Sequence, residues 1–321
     1  MLRSFLIYLS QAGWAQRMVT GWSFAWNVAS RFVAGETNEE AMAVVRKLNA
    51  KGINATLDQL GEHTSMAEEA VQSTEQILGI LDAIEEADVR AGVSIKLTQI
   101  GMGLDSTICR QNLRRILERA QEYKNFVRID IEDTPYTDIT IEAYNAMLAN
   151  DYSPETVGMA VQSYLYRAEE DTRKMLEDRT RFRLIKGAYK EPPDLAYPKK
   201  EDVDANFDLL TKILMDAALA AGSPKVSEDG RIPPIPAIAT QDDKRVDFAK
   251  QYAKKIELDK EAFEFQMLYG IRRDLQNQLI EEGYQVRVYV PFGTQWYPYF
   301  MRRLAERPAN LWFFISNLFK K

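Results

Sequence analysis

Short hydrophobic runs alternate with stretches of helical periodicity along most of the chain. Eight runs rich in Val, Ile and aromatic residues have the length and composition of buried strands. These runs span 52–60, 92–100, 126–132, 157–165, 181–189, 232–240, 262–270 and 285–293. Between them, apolar residues recur three and four positions apart, which is the period of an amphipathic helix. The clearest predicted helices span 67–87, 109–123, 166–178 and 202–222.

The alternation of strand and helix predicts an α/β fold, specifically a (βα)8 TIM-like barrel. The strands begin near residue 52, and the remaining chain is long enough for such a barrel, which needs roughly 250 residues. A doubly wound parallel sheet is the alternative. However, the stretch "GMG" at 101–103 continues as "LDS", without the third glycine of a dinucleotide fingerprint, so we interpret it as a loop.

The first fifty residues have a helical pattern without strands. They carry Trp14, Trp22 and Trp26, three of the five tryptophans in the chain. We expect a helical arm over 1–50, followed by a barrel domain over 51–321. The arm is expected to pack on the barrel or on another subunit; an aromatic-rich helix lying flat on a membrane surface is the alternative.

The amino-acid composition argues against several classes of protein and of site. The chain has 321 residues, 46% hydrophobic and 27% charged, with a net charge of -6, which is typical of a globular protein and argues against a nucleic-acid partner. A single cysteine, Cys109, excludes an intramolecular disulfide. With His63 as the only histidine, a zinc site built on Cys and His ligands is unavailable. The chain has no run of 18 apolar residues, so no transmembrane helix is predicted.

Polar residues occur at the C-terminal ends of the predicted strands, where barrel enzymes carry their chemistry. A structural ion pair would explain any single case, such as Lys96 with Asp130. Arg183 could likewise pair with Asp130 or Glu264. For the whole set, a large polar ligand at the barrel mouth is the better explanation, because burying so many polar groups is costly. The set comprises Lys96, Asp130, Glu132, Gln162, Arg183, Lys186, Tyr189, Thr240, Gln241, Glu264, Gln266 and Tyr289.

A C-terminal amphipathic helix is predicted over 294–310. Its apolar residues, which include Phe300 and Leu304, share one arc, and Arg302, Arg303 and Glu306 share the opposite arc. The arginines either form a solvated face with an ordinary Arg302–Glu306 pair or hold a small carboxylate over the barrel mouth. The sequence pattern by itself leaves both interpretations open.

Seven short motifs occur together in the order and at the spacing of one known family, over roughly residues 50 to 315. They read "SIKLTQIG", "RIDIED", "VQSYL", "RLIKGAY", "FEFQMLYG", "VYVPFG" and "YPYFMRRLAERPAN". With these motifs the chain resembles the proline dehydrogenase family, and in particular its short, monofunctional bacterial members. In one place it departs from the pattern, because Gln241 stands where the family usually has histidine.

The resemblance implies an FAD-dependent oxidation of L-proline to Δ1-pyrroline-5-carboxylate, the first step of proline catabolism to glutamate. It implies hydride transfer from C5 of proline to N5 of the flavin, with the electrons passed to a membrane quinone. It further implies a cytoplasmic enzyme in peripheral contact with the inner face of the cytoplasmic membrane. Homo-oligomerisation is left open.

Two other functions are compatible with the pattern. A flavin barrel of the methylenetetrahydrofolate reductase type would bind a folate and NAD(P)H, but the paired arginines favour a small amino acid carboxylate. A non-catalytic relative kept for membrane or partner binding would hold no flavin.

The resemblance also implies roles for individual residues. Arg302 and Arg303 would clamp the proline carboxylate, and Glu62, the neighbour of His63, would pair with one of them as a gate. The implied substrate-binding residues are Arg302, Arg303, Lys96, Asp130, Tyr289, Tyr189, Leu268 and Glu62. The implied cofactor-binding residues are Gln162, Arg183, Lys186, Gly187, Ala188, Thr240, Gln241 and Glu306.

Overall fold

A computed structural model of the chain describes residues 8–10, 12–20, 23–61, 64–150 and 152–306. Glu62 and His63 lie outside the described residues, as does the end of the predicted C-terminal helix.

Eight parallel strands form a closed barrel in chain order, with the last strand paired to the first. The strands are β1 Asn54–Gln59, β2 Ala91–Ile95, β3 Val127–Ile129, β4 Val157–Gln162, β5 Phe182–Ile185, β6 Pro236–Ala239, β7 Glu264–Leu268 and β8 Gln285–Phe292. The predicted TIM-like barrel is therefore confirmed, and the doubly wound sheet is wrong. Each predicted run overlaps one strand, but all eight runs extend further toward the C-terminus than the strand does. The residues after the strand belong to the loops at the barrel mouth.

Helices precede the barrel, connect its strands and follow its last strand. Among the described residues they are α1 Gly13–Thr20, α2 Ser23–Ala29, α3 Asn38–Asn49, α4 Ala67–Ala87, α5 Ser106–Glu122, α6 Thr134–Leu148, α7 Ala168–Leu176, α8 Lys200–Ala220, α9 Asp243–Lys255, α10 Arg273–Glu281 and α11 Trp296–Glu306. The four predicted connecting helices are present, and α4 has the predicted bounds. None of the described helices is both long and apolar enough to cross a lipid bilayer.

Strand side chains alternate between an apolar outer face and a polar interior, as expected for a small barrel. Leu57 and Ile95 are buried between the strands and the surrounding helices. The intervening residues point toward the barrel axis, where the Oγ atoms of Thr56 and Ser94 lie 3.0 Å apart. Arg183 on β5 reaches across the barrel to donate a hydrogen bond to Ser94 on β2. The guanidinium of Arg183, in the motif "RLIKGAY", therefore lies in the polar interior of the barrel and not in the apolar core.

The helices before the barrel pack partly on its core and partly on α11. Buried residues of α3 join the barrel core, and the boundary predicted at residue 50 stays a prediction. Residues of α2 and α11 form a second apolar cluster, in which the rings of Trp26 and Trp296 lie 5.4 Å apart. Packing thus accounts for Trp26. In contrast, Trp14 is 55% exposed, and Trp22 lies outside the described residues.

Candidate active site

A charged network occupies the mouth end of the barrel. Lys96, which follows β2, places its Nζ atom 2.8 Å from Asp58 Oδ1 and 3.9 Å from Asp130 Oδ2. The Tyr289 hydroxyl donates a hydrogen bond to Asp130 Oδ2 at 3.1 Å. The predicted approach of Lys96 and Asp130 is confirmed, but Asp58 is the closer partner of Lys96. Sequence reasoning missed Asp58, although its place near the end of the first strand run was a usable signal.

Arg183 joins this network from the opposite side of the barrel. It donates hydrogen bonds to Asp130 Oδ1 at 2.5 Å, to Gln266 Oε1 at 2.6 Å and to Ser94 Oγ at 2.7 Å. Its guanidinium carbon lies 5.2 Å from the centroid of the Tyr289 ring, a cation–π distance. Of the two carboxylates expected as partners, Asp130 is the observed one.

The charges of the network balance. Burial raises the pKa of Asp58, and the Asp130 charge adds to this while Lys96 opposes it. Burial lowers the pKa of Lys96, but Asp58 and Asp130 outweigh this and raise it overall, so Lys96 is an ammonium at neutral pH. Burial, with Asp130 and Asp58, raises the pKa of Tyr289 well above its ordinary value and keeps its hydroxyl protonated. With Arg183, two cations face two carboxylates.

Helix α11 lies beside the mouth and carries the paired arginines. Phe300 and Leu304 are buried as the helical arc predicts, whereas Arg302 is exposed and Arg303 is half-buried, its guanidinium 5.0 Å from the Tyr299 ring centroid. The side chain of Glu306 lies outside the described part of the chain, so the Arg302–Glu306 pair stays a prediction.

Tyr189 links α11 to the network. Partial burial and the Glu132 carboxylate raise the pKa of Tyr189, while the charges of Lys96 and Arg302 lower it. These groups are therefore close enough to interact electrostatically. Because Tyr189 is 41% exposed, it lies at the rim of the mouth.

The residues expected to hold the cofactor are placed around the ends of β4 and β5. Gln162 donates from Nε2 to the carbonyl oxygens of Ile131 and Glu132, at 2.9 and 3.1 Å. Its Oε1 atom is buried, and no described residue forms a hydrogen bond with it. Lys186 is held by two carboxylates, Asp204 at 2.6 Å and Asp242 at 2.8 Å. The Lys186 charge is thus already compensated by this protein's own residues.

Glycine is required at position 187 by packing and backbone conformation. Its φ is +110°, and a Cβ atom there would overlap the ring of Tyr164. Ala188, next to it, is exposed. The glycine in the turn after β5 is thus explained by the packed ring of Tyr164 as well as by its place at the mouth.

Three further predicted residues follow β6 or end β7. The Thr240 hydroxyl accepts a hydrogen bond from the Asp242 amide, and the Gln241 carbonyl accepts one from Arg272. Leu268 ends β7 and is half-buried.

Glu264 does not belong to the mouth, and its assignment there was wrong. It is the first residue of β7, so it lies at the opposite end of the barrel from the loops that follow the strands. It is fully buried, and Arg287 Nε lies 2.9 and 3.1 Å from its two carboxylate oxygens. Glu264 therefore has a structural role beneath the mouth.

Replacing Glu264 with glutamine is expected to lower the free energy of unfolding by about 3–5 kcal/mol, because Arg287 would keep a buried, unpaired charge. Urea unfolding measures this loss. In a double-mutant cycle, adding Arg287→Met should cost less than the sum of the single changes. Glu169→Gln, which breaks the exposed pair with Arg173, is the matched control, with an expected loss below about 1 kcal/mol. Equal losses at Glu264 and Glu169 would contradict the assignment.

Comparison of the sequence with known proteins identifies one family. A family model described as "Proline dehydrogenase" matches residues 41–315. The chain is 40% identical to Proline dehydrogenase 1 of Bacillus subtilis (strain 168), with 100% of both chains covered. It is also 40% identical to the Proline dehydrogenase of Deinococcus radiodurans, covering 92% of this chain and 91% of that one.

A solved structure has a similar barrel. It is the crystal structure of proline utilization A (PutA) from Bdellovibrio bacteriovorus inactivated by N-propargylglycine. The similarity has a TM-score of 0.77 at 25% identity and covers 88% of this chain but 33% of that one. The chain thus spans about a third of the length of that larger protein.

Proposed function

The chain belongs to the proline dehydrogenase family, and from this premise we propose that it oxidises L-proline to Δ1-pyrroline-5-carboxylate with FAD. The resemblance found in seven motifs is thereby confirmed, and the chain is an oxidoreductase that acts on proline. The proposal includes hydride transfer from C5 of proline to N5 of the flavin. It also includes a membrane quinone as the final electron acceptor.

The single observation that carries the proposal is a charge-balanced network beneath a helix with two adjacent arginines. Lys96, Asp58, Asp130 and Arg183 compensate one another at the strand ends. The two guanidiniums of α11 add positive charge beside this neutral network, and we assign them to a substrate carboxylate. A guanidinium binds a carboxylate through two parallel hydrogen bonds, which suits an amino acid better than a pterin.

The other mouth residues orient the substrate. Tyr289 keeps its hydroxyl proton, and Tyr189 lies at the rim; we propose that both contact the substrate. Leu268 supplies an apolar wall for the proline ring. Since Asp58 and Asp130 keep Lys96 protonated, we assign it to the substrate carboxylate and not to proton removal. Proline is accordingly proposed to bind with its amine already neutral.

The residues at the ends of β4 and β5 fit a flavin. The buried Oε1 atom of Gln162 has no partner among the described residues and can accept a hydrogen bond from a ring N–H group. Arg183 is paired with one carboxylate, Asp130, whereas Lys186 has two, so we assign Arg183 as the cation next to the flavin. When bound, FAD would supply the two-electron acceptor for the C–H bond of proline.

The remaining residues proposed to contact the cofactor follow β5 and β6. Lys186 is proposed near the cofactor with Gly187, Ala188, Thr240 and Gln241, but its two carboxylate partners already hold its ammonium group. Gln162 and Arg183 therefore carry the cofactor assignment. Gln241 retains the hydrogen-bonding capacity to contact a phosphate or ribose, although the usual family residue is histidine.

Peripheral contact with the inner face of the cytoplasmic membrane is proposed through the N-terminal helices. Tyr8 is 61% exposed and Trp14 is 55% exposed. Amphipathic aromatic side chains of this kind are favoured at a lipid–water interface. Such contact would place the enzyme near its quinone.

Anaerobic addition of L-proline to the purified, yellow protein is expected to bleach the visible flavin bands. D-proline at the same concentration is the control and should bleach them far more slowly, because the carboxylate and the reacting C–H bond cannot both be placed correctly. A soluble quinone added afterwards should restore the bands. A protein that stays colourless after reconstitution with FAD would contradict the cofactor assignment.

A further inference from the structure

A small cavity lies inside the barrel, toward the end opposite the mouth. Its lining residues are all buried, and four of them are arginines. The lining consists of Thr56, Gly92, Phe126, Arg128, Arg183, Arg231, Pro233, Gln266 and Arg287. So dense a group of cations in a protein interior requires compensation, because a buried, uncompensated charge costs several kcal/mol.

Three of the four arginines have a carboxylate partner. Arg183 pairs with Asp130, Arg287 with Glu264 at 2.9 Å, and Arg231 with Glu85 at 2.5 Å. The exception is Arg128. No carboxylate lies within ion-pair distance of it among the residues that the structure describes.

Arg128 is 1% exposed and only partly satisfied by hydrogen bonds. Its Nη1 atom donates to the carbonyl oxygens of Met159, at 2.9 Å, and of Arg181. Its Nε and Nη2 atoms are buried and have no hydrogen-bond partner within the described part of the chain. One face of the guanidinium is covered by the Phe126 ring, whose centroid lies 4.7 Å away. The unsatisfied donors therefore belong to a fixed cation that lines the cavity.

Two glycines on the strands leave room for this arrangement. A Cβ atom on Gly158 would lie 2.8 Å from the Phe126 ring and 3.0 Å from Arg128 Nη1. A Cβ atom on Gly92 would lie 2.7 Å from the Phe126 carbonyl oxygen. Since real side chains do not approach so closely, any larger residue would displace Arg128 or its neighbours.

From this arrangement, we propose that the cavity binds one small monovalent anion of the halide class, with Arg128 as its principal ligand. The open volume is about 10 Å³, which is the scale of a single water-sized particle. Phosphate and organic carboxylates are too large for it. A water molecule would satisfy the free donors but would leave the charge of Arg128 uncompensated. The cavity shares Arg183 with the mouth network, but Arg128 has no part in the proposed function.

The electrostatic surroundings agree with an anion at this place. Burial lowers the pKa of Arg128 well below its ordinary value, and the charges of Arg183 and Arg287 contribute in the same direction, while the more distant carboxylates of Glu264 and Asp130 oppose them. A bound halide would offset both effects. It would thus stabilise the lower half of the barrel.

Crystals of the full chain grown or soaked in sodium bromide test the site directly by anomalous scattering. A bromide peak is expected within hydrogen-bonding distance of Arg128 Nε or Nη2. Water or empty density there, with bromide peaks elsewhere on the surface, would overturn the proposal. This measurement uses the unaltered protein, so it does not depend on the folding of a variant.

Thermal unfolding tests binding in solution. Replacing gluconate with chloride at constant ionic strength should raise the midpoint by about 2–4 °C, because an anion that binds only the folded state stabilises it. The rise should be lost in Arg128→Met and kept in Arg173→Met, which removes an exposed arginine. A bromide peak in the crystal, together with an unfolding midpoint that does not change with chloride, would mean binding at crystal concentration only. That result would also overturn the proposal.

Discussion

Replacing Arg303 or Arg302 with methionine is expected to raise the KM for L-proline by about 10- to 100-fold for each change. A charge-assisted hydrogen bond contributes about 1.5–3 kcal/mol, and 1.4 kcal/mol corresponds to a factor of ten. Arg303 should have the larger effect, because it is half-buried against Tyr299 whereas Arg302 is exposed. Steady-state kinetics measures KM, and the flavin absorbance should stay at the wild-type level.

Lysine at either position is the conservative control. It keeps the charge but loses the two parallel hydrogen bonds, so an intermediate KM is expected. Arg173→Met removes an exposed arginine on α7 and should leave KM unchanged. If both methionine variants kept the wild-type KM, α11 would not hold the carboxylate, and the arginines would form only a solvated face.

Replacing Asp130 with alanine is expected to destabilise the protein and to impair catalysis together. Asp130 bonds to Arg183 and Tyr289 and lies 3.9 Å from Lys96. Its loss leaves two cations with Asp58 as the one carboxylate of the network. We expect a loss of about 3–5 kcal/mol in the free energy of unfolding. Displaced mouth residues should lower kcat/KM by about 100-fold.

Two further variants separate the effect of the Asp130 charge from the effect of breaking an ordinary surface ion pair. Asp130→Asn keeps the size and part of the hydrogen bonding but removes the charge, so it isolates the electrostatic part of the effect. Glu75→Ala breaks the exposed ion pair with Arg115 and should cost below about 1 kcal/mol. Urea unfolding and steady-state kinetics measure both quantities. An Asp130→Ala protein with wild-type stability and kcat/KM would show that the network plays no part in either.

The barrel was predictable because its signal is local. A buried parallel strand is a short apolar run, and a covering helix repeats its apolar residues every three or four positions. Both patterns are complete within about twenty residues, so α4 was located without reference to any other segment. The family motifs are local in the same way, and they identified Lys96, Asp130, Arg183 and Tyr289 as neighbours at the mouth.

Which residue pairs with which was not predictable from local patterns. Arg183 bonds to Ser94, 89 positions away, and Asp58 bonds to Lys96, 38 positions away. Glu264 was assigned to the wrong end of the barrel. The composition of an apolar run does not show whether a charged residue lies at the start or at the end of the strand. Lys186 was assigned to the cofactor without its two carboxylate partners, which come from α8 and the start of α9.

The sequence by itself therefore determined the fold class, the family and the substrate chemistry of this protein, since each depends on short segments read in order. The tertiary structure alone decided how charge is distributed along the barrel axis. It placed a neutral network at the mouth and, beneath it, Arg128, which forms no ion pair with any described carboxylate. The physical reason is closure of the barrel, which brings alternate residues of all eight strands onto one axis and excludes most water from between them.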